Sequence, residues 1–140
     1  MADEVLQEWV VWTLDSQRCA LPVSAVERVL PALEVTPLAN APERVEGVVI
    51  LQGREVVVLN LRRCLGLPAR DMQLGDSLVL ARGAGGWLAF FADQVQGVVR
   101  LADVQAYGAL QIRDLSSLLS ADDHRCLTQA LAARPIAHAA

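Results

Sequence analysis

The stretch Gly47-Val48-Val49-Ile50-Leu51-Gln52-Gly53-Arg54-Glu55-Val56-Val57-Val58-Leu59 decides the fold class. Two runs rich in β-branched residues flank Gln52-Gly53-Arg54, and a short Gly-containing connection between such runs signals a β-hairpin. The same pattern recurs on either side. Towards the N-terminus, Trp9-Val10-Val11-Trp12-Thr13-Leu14, the turn set Asp15-Ser16-Gln17 and the apolar run Cys19 to Leu21 predict a second hairpin. Ser24 is placed to cap one helical turn before a strand-like stretch from Val26 to Leu30, which Pro31 closes. Val35 to Leu38 reads as a short extended piece, and Pro42 suits the first position of a short helix through Val45.

Towards the C-terminus, Leu61 to Leu65 reads as one helical turn ended by Gly66 and Pro68. Residues Ala69 to Asp76 carry charge and glycine without periodicity, and the main internal boundary is expected there. Ser77 to Ala81 and Trp87 to Ala92 form a third hairpin across Gly83-Ala84-Gly85-Gly86. Strands are expected again at Val95 to Leu101 and Ala109 to Ile112. Leu115 to Leu119 has helical spacing. Ser120, with Asp123 three residues on, predicts a capping box for a last helix to about Ala133, stopped by Pro135.

Many short strands joined by tight turns indicate an all-β chain of small barrels rather than an α/β sheet. The chain is read as a single domain over 1–140. Subdomain one covers about 8–68, subdomain two about 75–119, and a C-terminal helix about 120–133. One internal echo stands out: Val45-Glu46-Gly47-Val48-Val49-Ile50-Leu51 returns as Val95-Gln96-Gly97-Val98-Val99-Arg100-Leu101. It is either chance in a Val-rich chain or the mark of two related β-subdomains side by side. Strand alternation puts Trp9 and Val11 on the face opposite Val10, Trp12 and Leu14. With both faces apolar, the strand is covered on two sides or Trp9 belongs to an interface.

At 140 residues and 54% hydrophobic, the chain can bury roughly two thirds of its unfolded surface without a metal or disulfide. A net charge of −4, with scattered arginines, gives no basic footprint for nucleic acid. Three cysteines, Cys19, Cys64 and Cys126, cannot all pair within the chain and suggest free thiols in a reducing compartment. Met1-Ala2-Asp3-Glu4 lacks the pattern of a signal peptide, and no apolar run approaches a membrane span. The expectation is a cytoplasmic protein without membrane insertion.

Chemistry-bearing patterns are sparse. His124 lies at the acidic start of the last helix and His138 in the tail, neither beside a cysteine or serine in sequence. The spacing Asp122-Asp123-His124 does not put ligands on one helical face, so no metal site is expected. Gly83-Ala84-Gly85-Gly86 lacks the Lys-Ser/Thr of a phosphate loop, so no cofactor is expected. Asp71, Asp76 and Asp93 are read as solvated carboxylates at loops or strand ends. No catalytic residue is assigned, and a small enzyme on a β-barrel scaffold is the weakest reading.

From Glu8 to Leu65 the chain resembles the first half of CheW-like domains almost without a gap. Trp9 to Leu14 resembles the family's F-x-V-F-x-L strand, and Val26-Glu27-Arg28-Val29 its V-x-E-I segment. Thr36-Pro37-Leu38 with Asn40-Ala41-Pro42 resembles the T-x-I/L-P-x-x-P connection. Gly47 to Gly53 resembles G-V-x-N-L-R-G, and Val56 to Arg62 resembles V-x-P-V-x-D-L-R. Further on, Phe91-Ala92-Asp93-Gln94-Val95 is similar to x-V-D-x-V. The resemblance implies two five-stranded SH3-like barrels packed side by side along a hydrophobic seam, with short helices. It further implies a scaffold that grips the regulatory domain of a CheA-type histidine kinase and the cytoplasmic tip of methyl-accepting chemoreceptors, recruited to membrane receptor arrays.

By the same alignment, Val26, Arg28, Val29, Val95 and Val98 are candidates for the receptor groove. Gln52, Gly53, Arg54 and Arg62 are candidates for a kinase or receptor contact at the hairpin. Four positions depart from the family's pattern: Ile50 replaces Asn, Gln52 replaces Arg, Asn60 replaces Asp and Arg28 replaces Glu. Gln lacks the charge and fork of a guanidinium, and Arg54 is placed to substitute in part. Between Leu101 and Leu110 a loop and strand of the family are missing. The second barrel is therefore abbreviated, or a partner completes it by strand addition. An alternative role is a CheW-like module that has lost receptor coupling and binds another regulator or itself.

Overall fold

The computed structural model describes residues 6–83, 86–112 and 114–133. Ala84 and Gly85 of the expected glycine-rich turn, Arg113, Pro135, His138 and the first five residues lie outside them. The strands are β1 (Gln7–Leu14), β2 (Gln17–Pro22), β3 (Val26–Pro31), β4 (Val45–Leu51), β5 (Arg54–Leu59), β6 (Ser77–Gly83), β7 (Gly86–Ala92), β8 (Gln94–Leu101) and β9 (Ala109–Gln111). Two α-helices accompany them, α1 (Leu61–Cys64) and α2 (Ala121–Ala133). The three expected hairpins form as antiparallel pairs β1–β2, β4–β5 and β6–β7.

Strand sorting differs from a division into residues 8–68 and 75–119. A four-stranded sheet, in the order β8-β1-β2-β9, takes its strands from both ends of the chain. A five-stranded sheet, in the order β3-β6-β7-β5-β4, is built from the middle. Turn signals report which strands are joined, whereas the parallel pairs β2–β9 and β5–β7 depend on distant contacts. The abbreviated sheet is the one containing the N-terminal hairpin.

Period-two alternation gives each sheet two apolar faces, and the core is correspondingly layered. Between the sheets lies a shared seam. Val10, Trp12, Leu14, Cys19 and Leu21 meet Val79, Ala81, Phe90 and Ala92 there. The Trp12 and Phe90 rings sit 4.7 Å apart at 41°. Leu127 and Ala130 of α2 cover the end of this layer. The five-stranded sheet curls around its own cluster of Val49, Val56, Val58, Leu78, Leu80 and Ala89. On the far side of the other sheet, Trp9 and Val11 pack with Ala20, Val104 and Ala109. Strand β1 is therefore covered on both faces, and Trp9 is a core residue. Each large side chain so buried contributes about 1.5–3 kcal/mol, and the seam gathers such residues from both sheets.

Three Val-(Glu/Gln)-x-Val segments each carry a β-bulge. The ladder skips Glu27 in β3, Glu46 in β4 and Gln96 in β8. An unpaired residue restores the same face three positions on, instead of two. The sequence echo between residues 45–51 and 95–101 thus marks one backbone device used twice.

Two local expectations change. Residues 42–45 form a turn closed by the Val45 N–H donating to the Pro42 carbonyl at 3.0 Å. No helix develops because Val45 is already paired with Leu59. The single turn at Val23–Ala25 forms as a 3-10 helix, but it begins from Pro22 and has no side-chain cap from Ser24. The capping box of α2 is as expected. Asp123 N–H donates to Ser120 Oγ and Ser120 N–H to Asp123 Oδ2, both at 3.0 Å.

Candidate functional site

The β4–β5 hairpin turns through Gln52 and Gly53 alone, since Leu51 pairs with Arg54. Both turn residues have positive φ, 51° and 76°, the geometry that matches the twist of a two-residue hairpin. Glycine accepts this freely, but at Gln52 the conformation costs roughly 1–2 kcal/mol. That strain holds a long amide side chain at the tip. Arg28 Nη1 and Nη2 donate to Gln52 Oε1 at 3.2 and 3.1 Å, with the amide in the orientation that satisfies both groups. Arg54 reaches the other way and lies 4.8 Å over the Trp87 ring.

Arg28 and Gln52 stand at one end of an open slot of about 340 Å³. The slot lies where the edge strands β3 and β4 fail to meet. Leu30, Leu33, Leu51, Leu80 and Trp87 line it, as does Ile50, which is 62% exposed. Further along β4 the gap is closed by the Thr36–Val48 bridge, whose two N–H···O bonds are each 2.9 Å. Sequence reading had no signal for Leu33 or Trp87 here, because the slot joins segments from β3, β4, β6 and β7.

The groove candidates divide. Opposite Ala81 and Val79 of the seam layer, Val26 and Val29 share the seam-facing side of β3. Opposite Trp12 and Val10, Val95 and Val98 do the same on β8. In both strands the bulge makes this possible. Val26 and Val95 pack against the seam core, while Val29 and Val98 remain 42% and 57% exposed. Arg28 is not among them. It pairs with Leu80, whose side chain belongs to the inner cluster, and so faces the slot.

Arg62 is also displaced from its expected role. It is 8% exposed and lies in an ion network away from the hairpin. Its Nη1 donates to Asp15 Oδ1 at 2.9 Å and its Nη2 to Asp93 Oδ2 at 2.5 Å. Arg70 Nη2 extends the network to Asp93 Oδ1 at 2.5 Å and Asp76 Oδ1 at 2.9 Å. Asp93 and Asp76 are therefore paired rather than solvated; Asp71 alone of the three stays exposed. Burial by itself would raise the Asp93 carboxyl. The Asp15 N–H and the two guanidiniums outweigh it and hold the group below the usual carboxylate range. The network joins the β1–β2 turn to α1 and the β7–β8 junction, so it clamps the two sheets together.

The polar groups elsewhere are poorly set for chemistry. Burial pushes the Cys19 thiol up to about 12 and raises that of Cys64, the reverse of what a nucleophile needs. His124 Nε2 meets the Ser116 carbonyl at 2.8 Å on the exposed start of α2. Among the described residues no group of three or more His, Cys, Asp or Glu side chains could hold a metal ion.

A family model of the CheW-like domain matches residues 8–125. The chain belongs to the CheW-like family. It is 34% identical over 104 residues to the chemotaxis protein CheW of Thermotoga maritima, a match covering 73% of this chain and 68% of the relative. Its fold is similar to the crystal structure of the scaffolding protein TtCheW from Thermoanaerobacter tengcongensis. That match has a TM-score of 0.65 at 22% identity and covers 69% of this chain and 66% of the other. The chain thus spans slightly under two thirds of that scaffold. Within the family pattern, Arg62 and Asp93 occupy the Arg of D-L-R and the Asp of V-D-x-V, and the two pair with each other. Asn60, where the family has Asp, still caps α1 by accepting from the Arg63 N–H at 3.0 Å.

Proposed function

We propose that this CheW-like chain is a non-catalytic adaptor of bacterial chemosensory signalling that couples chemoreceptors to a CheA-type histidine kinase. The observation that carries this reading is the seam: Val26, Val29, Val95 and Val98 share its faces on both sheets, and Val29 and Val98 stay exposed. An apolar strip spanning two sheets suits the tip of a helical receptor, and the hairpin at Gln52, Gly53 and Arg54 offers a separate surface for the kinase regulatory domain. The raised thiols and the structural use of the carboxylates fit a module that binds rather than reacts. No described helix is long and apolar enough to cross a membrane. The coupling role itself places the adaptor in the cytoplasm, recruited to arrays by its partners.

Mixing the chain with its cognate kinase regulatory domain is expected to give a complex in calorimetry. No heat of binding at roughly 50 µM would count decisively against the reading. Val98→Lys is expected to weaken receptor binding by about tenfold while leaving folding intact, since the side chain is already largely exposed. The departures at Arg28, Ile50 and Gln52 favour a second reading, a CheW-like module that binds another regulator or itself. Kinase binding without any receptor binding is the result that selects it.

A further inference from the structure

Three of the four departures from the family pattern line the same slot: Arg28, Ile50 and Gln52. They change its character in one direction. A Glu–Arg combination becomes Arg–Gln, and an Asn becomes an exposed Ile, so the mouth gains positive charge and apolar surface together. The Arg28 guanidinium donates to a neutral amide, while the neighbouring Glu27 carboxylate is held by Arg82 at 3.0 Å. Glu27 also lines the slot, but its carboxylate is paired with Arg82, so the Arg28 charge at the mouth is met there by an amide rather than by a carboxylate. Its long sides are the outer edges of β3 and β4, and beyond the Thr36–Val48 bridge neither edge carries a further strand among the described residues. Unpaired strand edges present backbone donors and acceptors in register for another extended chain.

We infer that this slot is a docking site for an extended segment of a partner protein, one apolar side chain entering the slot and an adjacent carboxylate exchanging the Gln52 amide for itself on Arg28. A carboxylate meets the guanidinium fork in a charge-assisted, bidentate geometry that an amide oxygen cannot match. The swapped charges make the site a determinant of partner choice: a segment with a basic residue at that position is repelled by Arg28. The inference rests on the adaptor reading only in taking the hairpin region to be an interface.

The test uses the full chain and two blocked ten-residue peptides in a valine–threonine strand frame. In one a central leucine is flanked by glutamates, in the other by lysines. Shifts of the Trp87 indole N–H and the Ile50 methyls are followed by NMR up to about 1 mM peptide. The glutamate peptide is expected to shift both signals saturably and to bind about tenfold tighter than the lysine peptide, less so at high salt. Arg28→Glu, at an exposed position, is expected to reverse that order, and Ile50→Lys to abolish binding of the lysine peptide to the Arg28→Glu chain. Absence of shifts at Trp87 and Ile50, or an unchanged peptide order in Arg28→Glu, overturns the inference. Calorimetry with the kinase regulatory domain separates the two readings. Kinase binding without glutamate-peptide binding sinks the slot and spares the adaptor; peptide binding without kinase or receptor binding does the opposite.

Discussion

Strands β4 and β8 share a Val-(Glu/Gln)-Gly-Val-Val motif, a bulge and a place at the edge of a sheet, yet their surroundings differ. In β4 the bulge glycine, Gly47, has φ 153° and is covered by the segment at Val35-Thr36; a Cβ there would lie 2.2 Å from the Thr36 carbonyl oxygen. In β8 the matching Gly97 has φ 121°, and a Cβ would meet nothing within 4 Å. One edge is capped by its own chain through the Thr36–Val48 bridge. The other ends its sheet without a further strand among the described residues. The same local motif thus serves an edge sealed at its bulge by a returning segment in one place and an open edge in the other. Bulge geometry is a local property; closure depends on what chain is available to return.

The largest test of that contrast is Gly47→Ala. It adds a steric clash against backbone to an unfavourable φ, and should cost about 4 kcal/mol in urea denaturation. A much smaller cost would mean that the 35–36 segment does not seal β4. Next in size is Arg62→Met, which leaves Asp93 with Arg70 as its one guanidinium partner, takes the guanidinium from Asp15 and unclamps the sheets; about 3 kcal/mol is expected.

The same network sets an acid dependence. The Asp93 carboxyl is depressed in the folded state, so its contribution is complete above the unfolded value near 3.9 and is lost as pH falls through the lower folded value. Asp93→Asn should therefore be less stable than the parent at neutral pH and show a shallower loss below about pH 4. Equal slopes would show that the network does not carry acid sensitivity. Gly97→Ala should cost only about 1–2 kcal/mol, the conformational part alone. Parity with Gly47→Ala breaks the comparison between covered and open edges. Smallest of all, Gln52→Asn should leave stability unchanged or raise it by a few tenths of a kcal/mol, as Asn tolerates the turn's positive φ better. Its shorter side chain should nevertheless loosen the contact with Arg28, visible as broadened Arg28 side-chain signals.

One buried group is out of keeping with the rest of the core. Trp12 is fully buried and its indole N–H finds no acceptor among the described residues. Leaving a buried donor unmade typically costs about 1–3 kcal/mol, and the ring's packing on Phe90 offsets it here.

Hairpins, strand limits, the α2 capping box and the scaffold-type family were legible in the sequence because each rests on short-range chemistry: turn residues, alternation, caps and contiguous motif residues. Gln52-Gly53-Arg54 could be assigned to the connection, and the turn is there, though only Gln52 and Gly53 make it and Arg54 already belongs to β5. The role of Arg62 was not legible, because Asp15 and Asp93 lie 47 and 31 residues away. Arg28 and Gln52 were each visible as departures, but nothing in one dimension says that they touch. Local pattern determined which segments are strands and what family they belong to. Only the tertiary structure decided that strands from both chain ends share a sheet, that the motif Arg and Asp serve as a clamp, and that three scattered substitutions meet in one slot. Long-range pairing carries no local signature, since its free energy is gained only once distant chain segments have been brought together.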